Sequence, residues 1–296
     1  MQLTEEPQKR VFRPDFHCHT TASDGHLTPP ELLQRAQDQG VTALAVTDHD
    51  TYAGYSSLVA SGPVTGISLI SGIELSCVWQ GRTIHIVGLD FAAQSQVMLD
   101  AVARQQDNRW QRAQLIDERL VKAGLPSLLA AAETEAGGVP GRPHFASAML
   151  AAGLVKKHHH AFDRYLGTGK IGDITSLWPS LETITQWIRE GGGVAILAHP
   201  RKYGLTGVKL RALLTDFMGA GGQGMEVLSA GQADADTRFL TLLCEQFQCA
   251  ASLGSDFHHP RNHWCELGRL PPLPTKLTPV WQLFSAATRQ HMGLPA

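Results

Sequence analysis

The hydrophobic positions of this 296-residue chain fall into two rhythms. As far as about residue 93, short apolar runs alternate with amphipathic ones. "VFRPDFH" reads as the start of a strand, and "TPPELLQRAQDQG" as a helix with Thr28 at its N-cap, Pro29 in its first turn and Gly40 at its stop. "VTALAVTDHD" reads as a buried strand ending in charge. A short helix around "YSSLVASG" follows, then strands at "ISLISGIEL" and "TIHIVGL". Strands that are apolar throughout are covered on both faces, so the pattern predicts a largely parallel sheet flanked by helices.

From about Gln94 to Gly192 the period becomes helical. "MLDAVARQQDNRWQRAQLIDERLVKAG" is one long helical pattern, with shorter ones at "RPHFASAMLAAG", "HHHAFDRYLG" and "SLETITQWIREGGG". This stretch is expected to be a helical insertion beside the site. Alternation then resumes with "VAILAHP", "KLRALLTDFMGAGG", "GMEVLS", "TRFLTLLCEQF" and "CAASLGSDFHH". Residues 1–12 are expected to form a disordered tail.

Composition narrows the class without deciding it. Apolar residues make up 43% and charged ones 18%, as in a soluble globular enzyme, and the net charge of -2 argues against binding long nucleic-acid duplexes. The polar N-terminus resembles no secretory signal, and no apolar run approaches the roughly 20 residues that span a bilayer. Five cysteines without C-x-x-C spacing read as reduced thiols of a cytoplasmic protein. Nothing in the sequence calls for an obligate protein partner.

The unusual feature is where the 14 histidines and the acids fall. In "DFHCHTTASDG" a strand would alternate its faces, so His17 and His19 point the same way, Cys18 points the other, and Asp24 follows five residues on. Asp48, His49 and Asp50, then Glu74, His85, His199, Asp256 and His258 likewise sit at or just past expected strand ends. In a barrel of parallel strands those ends share one rim. Nitrogen and carboxylate ligands without thiolate suit a catalytic metal site, and their number implies at least two ions. The triplet His158 to His160 reads instead as an exposed helix face, because consecutive helical residues are spread around the axis.

Taken in order, "HCHTTASDG", "VTDHDT", "SGIEL", "IHIVGL", "LAHP" and "GSDFHHP" resemble the motifs of the PHP (polymerase and histidinol phosphatase) metal-hydrolase superfamily. "RPHFASAMLAAGLV", "YLGTGKIG", "AHPRKY" and "WCELGRLPPLP" resemble its subgroup of nucleoside 3',5'-bisphosphate phosphatases and 5'→3' exoribonucleases. The resemblance implies an α/β fold, a distorted (β/α)7 barrel over 13–93 and 193–296, with the helical insertion over 94–192 forming part of the substrate site. It implies two or three divalent ions, manganese first, with zinc or iron as alternatives. His17, His19, Glu74 and Asp256 would serve one ion, Asp24, His49 and His258 a second, and His85 and His199 with Glu74 a third. Asp48, Asp50 and His259 are candidate general acids for the leaving ribose oxygen. Arg142, His144, Lys170, Arg201 and Lys202 are candidate contacts to a second substrate phosphate. Asp173 stands where the family often has tyrosine.

The expected activity is hydrolysis of the 3'-phosphate of nucleoside 3',5'-bisphosphates, with trimming of short 5'-phosphorylated RNA from its 5' end. The alternatives are a histidinol-phosphate-type phosphatase, a DNA nuclease, and a non-catalytic metal-binding regulatory module.

Overall fold

The computed structural model describes residues 11–295. The expected tail lies outside the described residues as far as residue 10. Phe12 belongs to the fold, packing edge-on against Trp281 with ring centroids 5.1 Å apart. The strands are β1 (Pro14–Asp15), β2 (Ala43–Ala45), β3 (Ser68–Ile70), β4 (Gly72–Trp79), β5 (Arg82–Leu89), β6 (Val194–Leu197), β7 (Gly224–Ser229) and β8 (Ala250–Gly254). The α-helices are α1 (Pro29–Asp38), α2 (Ala53–Ala60), α3 (Gln96–Lys122), α4 (Leu129–Ala136), α5 (Arg142–Ala151), α6 (His158–Ala161), α7 (Leu181–Glu190), α8 (Gly207–Gly219), α9 (Asp234–Phe247) and α10 (Ala286–His291). Helix α1 begins where the sequence predicts. The Thr28 backbone N–H and hydroxyl both donate to Glu31, at 2.9 and 2.7 Å, and Gly40 takes a φ of +73° beyond its end.

Strands β1, β2 and β3 pair in parallel, and β4 to β8 form a second sheet. The expected parallel order fails at one strand: β5 runs antiparallel to both β4 and β6, whereas β6, β7 and β8 are parallel. The cause is local. Gln80 and Gly81, at φ +46° and +75°, close a two-residue hairpin, a turn that joins only antiparallel neighbours.

Only Ser71 separates β3 from β4, so the two act as one bent stave and seven staves surround the centre. The ladder is interrupted at two seams. At one, Phe16 N–H donates to the Leu253 carbonyl at 3.2 Å and Asp256 N–H to the His17 carbonyl at 2.8 Å, tying the first stave to the last. At the other, His49 bridges Glu74. The result is a distorted (β/α)7 barrel whose two sheets are stitched rather than continuously paired.

Phe16, Ala43, Ile70, Val87 and Ile196 form one core with Val280 and Phe284. Ser285 closes that end by donating its N–H to Asp90, just past β5. The expected insertion divides between two cores. Leu181, Ile184 and Ile188 of α7, with Met98 of α3, pack in the same core as Leu75 and Ile84 of the barrel. Ile116, Leu120, Phe145, Met149, Leu166 and Ile174 form a separate core for the rest. The self-contained helical unit is therefore shorter at both ends than residues 94–192. Among the described residues, no helix is long and apolar enough to cross a membrane.

Candidate metal centre and its arginine wall

His17 and His19 lie just beyond β1, where Cys18 pairs with Phe257 and is fully buried. Alternation sends the two imidazoles to the same acids. Glu74 Oε2 lies 3.3 Å from His17 Nε2, 3.4 Å from His19 Nε2 and 2.9 Å from His49 Nδ1. Its other oxygen, Oε1, lies 3.0 Å from His85 Nδ1 and 2.9 Å from His199 Nε2. Asp256 Oδ1 lies 3.5 Å from His17 and 3.2 Å from His19, and Asp24 Oδ1 lies 3.4 Å from His258 Nε2.

All nine expected ligands converge, in four overlapping groups: His19, Asp24, His49 and His258; His17, His19 and Asp256; His17, Glu74 and His199; His49, Glu74 and His85. The grouping differs from the one the resemblance implies. His85 joins His49 and His199 joins His17, each through the shared Glu74. Glu74 and His85 are also mid-strand rather than at strand ends, because the β4–β5 hairpin runs on beyond both.

Supports that the sequence reading missed hold this arrangement. Glu226, buried in β7, accepts from His17 Nδ1 at 2.6 Å and from the His199 backbone N–H at 2.6 Å. Its mark in the sequence was one acid inside the apolar run "GMEVLS". Tyr203 Oη accepts from the His85 N–H at 3.0 Å. Gly254 lies so close to His17 that any Cβ there would collide with it. Asp50, His199 and Asp256 take φ of +56°, +25° and +52°, a region costing non-glycine residues on the order of 1–3 kcal/mol each.

Two of the candidate acids are already engaged. Asp48 is buried and accepts from the Thr20 N–H, the Thr20 hydroxyl and the Ser23 hydroxyl at 2.7–2.8 Å. Asp50 is buried and accepts from the Ser76 N–H and hydroxyl, Gln105 Nε2 and Arg109 Nε. Both act as struts, Asp50 fastening α3 to the barrel, because every nearby donor is aimed at them. His259 lies outside the ligand groups and stacks on His26 with centroids 4.1 Å apart.

Whether these residues suit divalent ions is answered by their unpartnered atoms. His17 Nε2, both nitrogens of His19, Asp24 Oδ1, His49 Nδ1, Glu74 Oε2 and His199 Nδ1 are buried without a hydrogen bond. Orphaned polar atoms are costly singly, and a convergent set of imidazole nitrogens and carboxylate oxygens is a ligand cage. Burial opposes charge on Glu74, Asp24 and Asp256, yet the facing imidazoles hold all three well below the usual carboxylate range. The pocket demands positive charge at its centre, and the donor set fits the ions.

Beside the cage stands a wall of guanidinium groups. Arg109 and Arg112 of α3 and Arg142 of α5 line a cavity of about 110 Å³ with His49, His85 and Trp178. Burial, and then repulsion from Arg142 and Arg109, pulls the Arg112 guanidinium down to about 9, so it stays charged at neutral pH. Arg142 also borders an adjoining cleft of about 190 Å³ with Arg82, Asp173, Lys202 and Tyr203. Its Nη1 donates to the Leu166 carbonyl at 3.2 Å and lies 3.4 Å from Asp173 Oδ1. Lys202 Nζ is paired with Asp256 Oδ2.

The remaining candidates diverge from the expected contacts. His144 faces a wider cleft of about 810 Å³, and its Nδ1 accepts from the Gly141 N–H at 2.9 Å. Lys170 is exposed and borders neither guanidinium-lined cavity. Arg201 turns away, donating to Asp236 at 2.7 Å and lying over the Phe239 ring, because α9 offers both an anion and an aromatic face. Arg109 and Arg112 lie within the long helical pattern, where nothing in the sequence marks which charges face a cavity.

The sequence pattern of the PHP domain matches residues 15–169. A 5'-3' exoribonuclease of Haemophilus influenzae is 42% identical over 270 residues, covering 91% of this chain and 98% of the relative. A 3',5'-nucleoside bisphosphate phosphatase of Chromobacterium violaceum is 34% identical over 274 residues, covering 92% and 96%. A solved structure described as an amidohydrolase from Chromobacterium violaceum, with bound sulfate and no metal, superposes with a TM-score of 0.84 at 32% identity, covering 94% of this chain and 96% of that one.

Proposed function

The chain belongs to the PHP domain family, and on that premise we propose that it is a multinuclear metal-dependent phosphoesterase. Its substrates are nucleoside 3',5'-bisphosphates, from which it removes the 3'-phosphate to leave the 5'-monophosphate. It also shortens 5'-phosphorylated RNA from the 5' end. The observation that carries this reading is the convergence of buried, unpartnered ligand atoms around Glu74, next to three arginines that retain surplus positive charge.

Two or three divalent ions, manganese first and zinc or iron as alternatives, would be held by His17, His19, Asp24, His49, Glu74, His85, His199, Asp256 and His258. When bound, they lower the pKa of a water and neutralise phosphoryl oxygens. The chain's own residues do the rest. Arg142 and Arg109 grip the second phosphate, and Lys202 adds a point charge between that phosphate and the cage. Trp178 and Phe162 offer apolar surface to the nucleoside. Unpaired cysteines support a cytoplasmic location.

The test is phosphate release from adenosine 3',5'-bisphosphate by metal-stripped protein reloaded with Mn²⁺. Release at the level of the metal-free protein would overturn the assignment. A histidinol-phosphate-type phosphatase would instead turn over single-phosphate esters equally well.

A further inference from the structure

The cage lies between two unlike spaces. One is the arginine wall. The other is the cleft of about 810 Å³ framed by the 21–26 and 258–262 loops of the barrel and by α5 and α6. Nothing in the proposed mononucleotide chemistry uses this second space, although Asp24 and His258 belong both to the cage and to its lining.

We propose that the wide cleft binds the RNA strand downstream of the scissile phosphate. This rests on the function proposed above and extends it. Continuity is the first argument: a phosphodiester held at the cage, with its 5'-terminal nucleotide on the arginine side, directs its other substituent past Asp24 and His258 into the cleft. Charge is the second. A terminal phosphate carries about −1.5 to −2 and belongs with the guanidinium groups. The wide cleft offers Arg261 opposed by Glu135 and Asp24, which suits a singly charged diester that must slide. Shape is the third. The volume lies in the range that buries a nucleotide-sized ligand, and the His26 and His259 rings, stacked with an interplanar angle of 28°, give a flat surface for an unstacked base. Asn262 and Ser147 supply hydrogen-bonding groups beside it.

The chemistry balances. A water oxygen bonds to phosphorus, the P–O3' bond breaks, the freed 3'-oxygen takes a proton, and the phosphate remains on the downstream strand. That strand then carries a 5'-phosphate and is a substrate for the next cycle. A nucleoside bisphosphate is the limiting case with nothing in the wide cleft.

The two substrates therefore separate the two spaces. kcat/KM is measured for the wild type, Arg261→Glu and Arg261→Lys, on adenosine 3',5'-bisphosphate and on a 5'-phosphorylated RNA pentamer. Arg261→Glu is expected to lose about 10-fold on the pentamer while staying within about twofold on the bisphosphate, and Arg261→Lys to recover most of the loss. Equal losses on both substrates, or no loss on the pentamer, overturn the proposal. Failure of the underlying function reads out separately, as no wild-type turnover of the bisphosphate, and takes the proposal with it.

Discussion

At the barrel rim, imidazoles and carboxylates from segments as far apart as His17 and His258 are packed against one another. Their outer atoms are fixed by a buried carboxylate, by backbone groups and by neighbouring strands. The arginine wall is built otherwise. Arg109, Arg112 and Arg142 project from helices and keep part of their length in a cavity; Arg109 leans on Asp50, Arg142 on Asp173, and Arg112 donates to the Ile174 carbonyl. Strand ends give short, rigid spacings, which bond-making chemistry needs. Helix surfaces give charge that a ligand can compete for, which selection needs. Damage to the rim should thus appear in kcat for every substrate, and damage to the wall in KM for substrates with two phosphates.

The sharpest way to break this contrast is Glu74→Gln, which withdraws charge from five imidazoles at once. It should lower kcat by at least about 10³-fold on bisphosphate and single-phosphate ester alike. A loss confined to one substrate would contradict the assignment. Next in size is Glu226→Gln, which leaves one acceptor oxygen where the His17 ring and the His199 backbone N–H need two. An apparent metal affinity about 10- to 100-fold weaker, read by titrating activity with Mn²⁺ and rescued at high metal, is expected. Arg142→Ala should raise KM for adenosine 3',5'-bisphosphate by about 10- to 100-fold, the value of a charged hydrogen bond, and leave a single-phosphate ester unaffected. Smallest is Arg201→Ala. Because its guanidinium is committed to Asp236 in a part-exposed pair, KM should not move, and thermal denaturation should register only about 0–1 kcal/mol.

The convergence of the nine residues was legible because each falls within a short local motif, and neighbouring residues such as His17, Cys18 and His19 state their own alternation. Strand direction was not legible. An apolar run such as "TIHIVGL" looks the same whether its neighbours are parallel or antiparallel, and only the Gln80–Gly81 turn, read as a hairpin, would have revealed it. Arg201 and Lys202 are adjacent in sequence, yet one serves α9 and the other the cage. A basic dipeptide does not say which residue turns inward. Asp48 and Asp50 bear acids beside a ligand and invite a chemical role, but their partners Thr20, Ser76 and Gln105 lie in distant segments, so their engagement emerges only from tertiary packing. Glu226 was detectable, since an ionisable side chain in the interior of a covered strand demands a partner.

The seam between the first and last staves has a bearing on biosynthesis. Asp15 accepts the Ser255 N–H across 240 positions of chain, and Asp256, which completes one ligand group, donates its own N–H to His17. While a ribosome is still making the C-terminal third, the early histidines have no Asp256 to meet. The early histidines therefore wait for their acidic partner, and the site is assembled only once the last stave has emerged and docked.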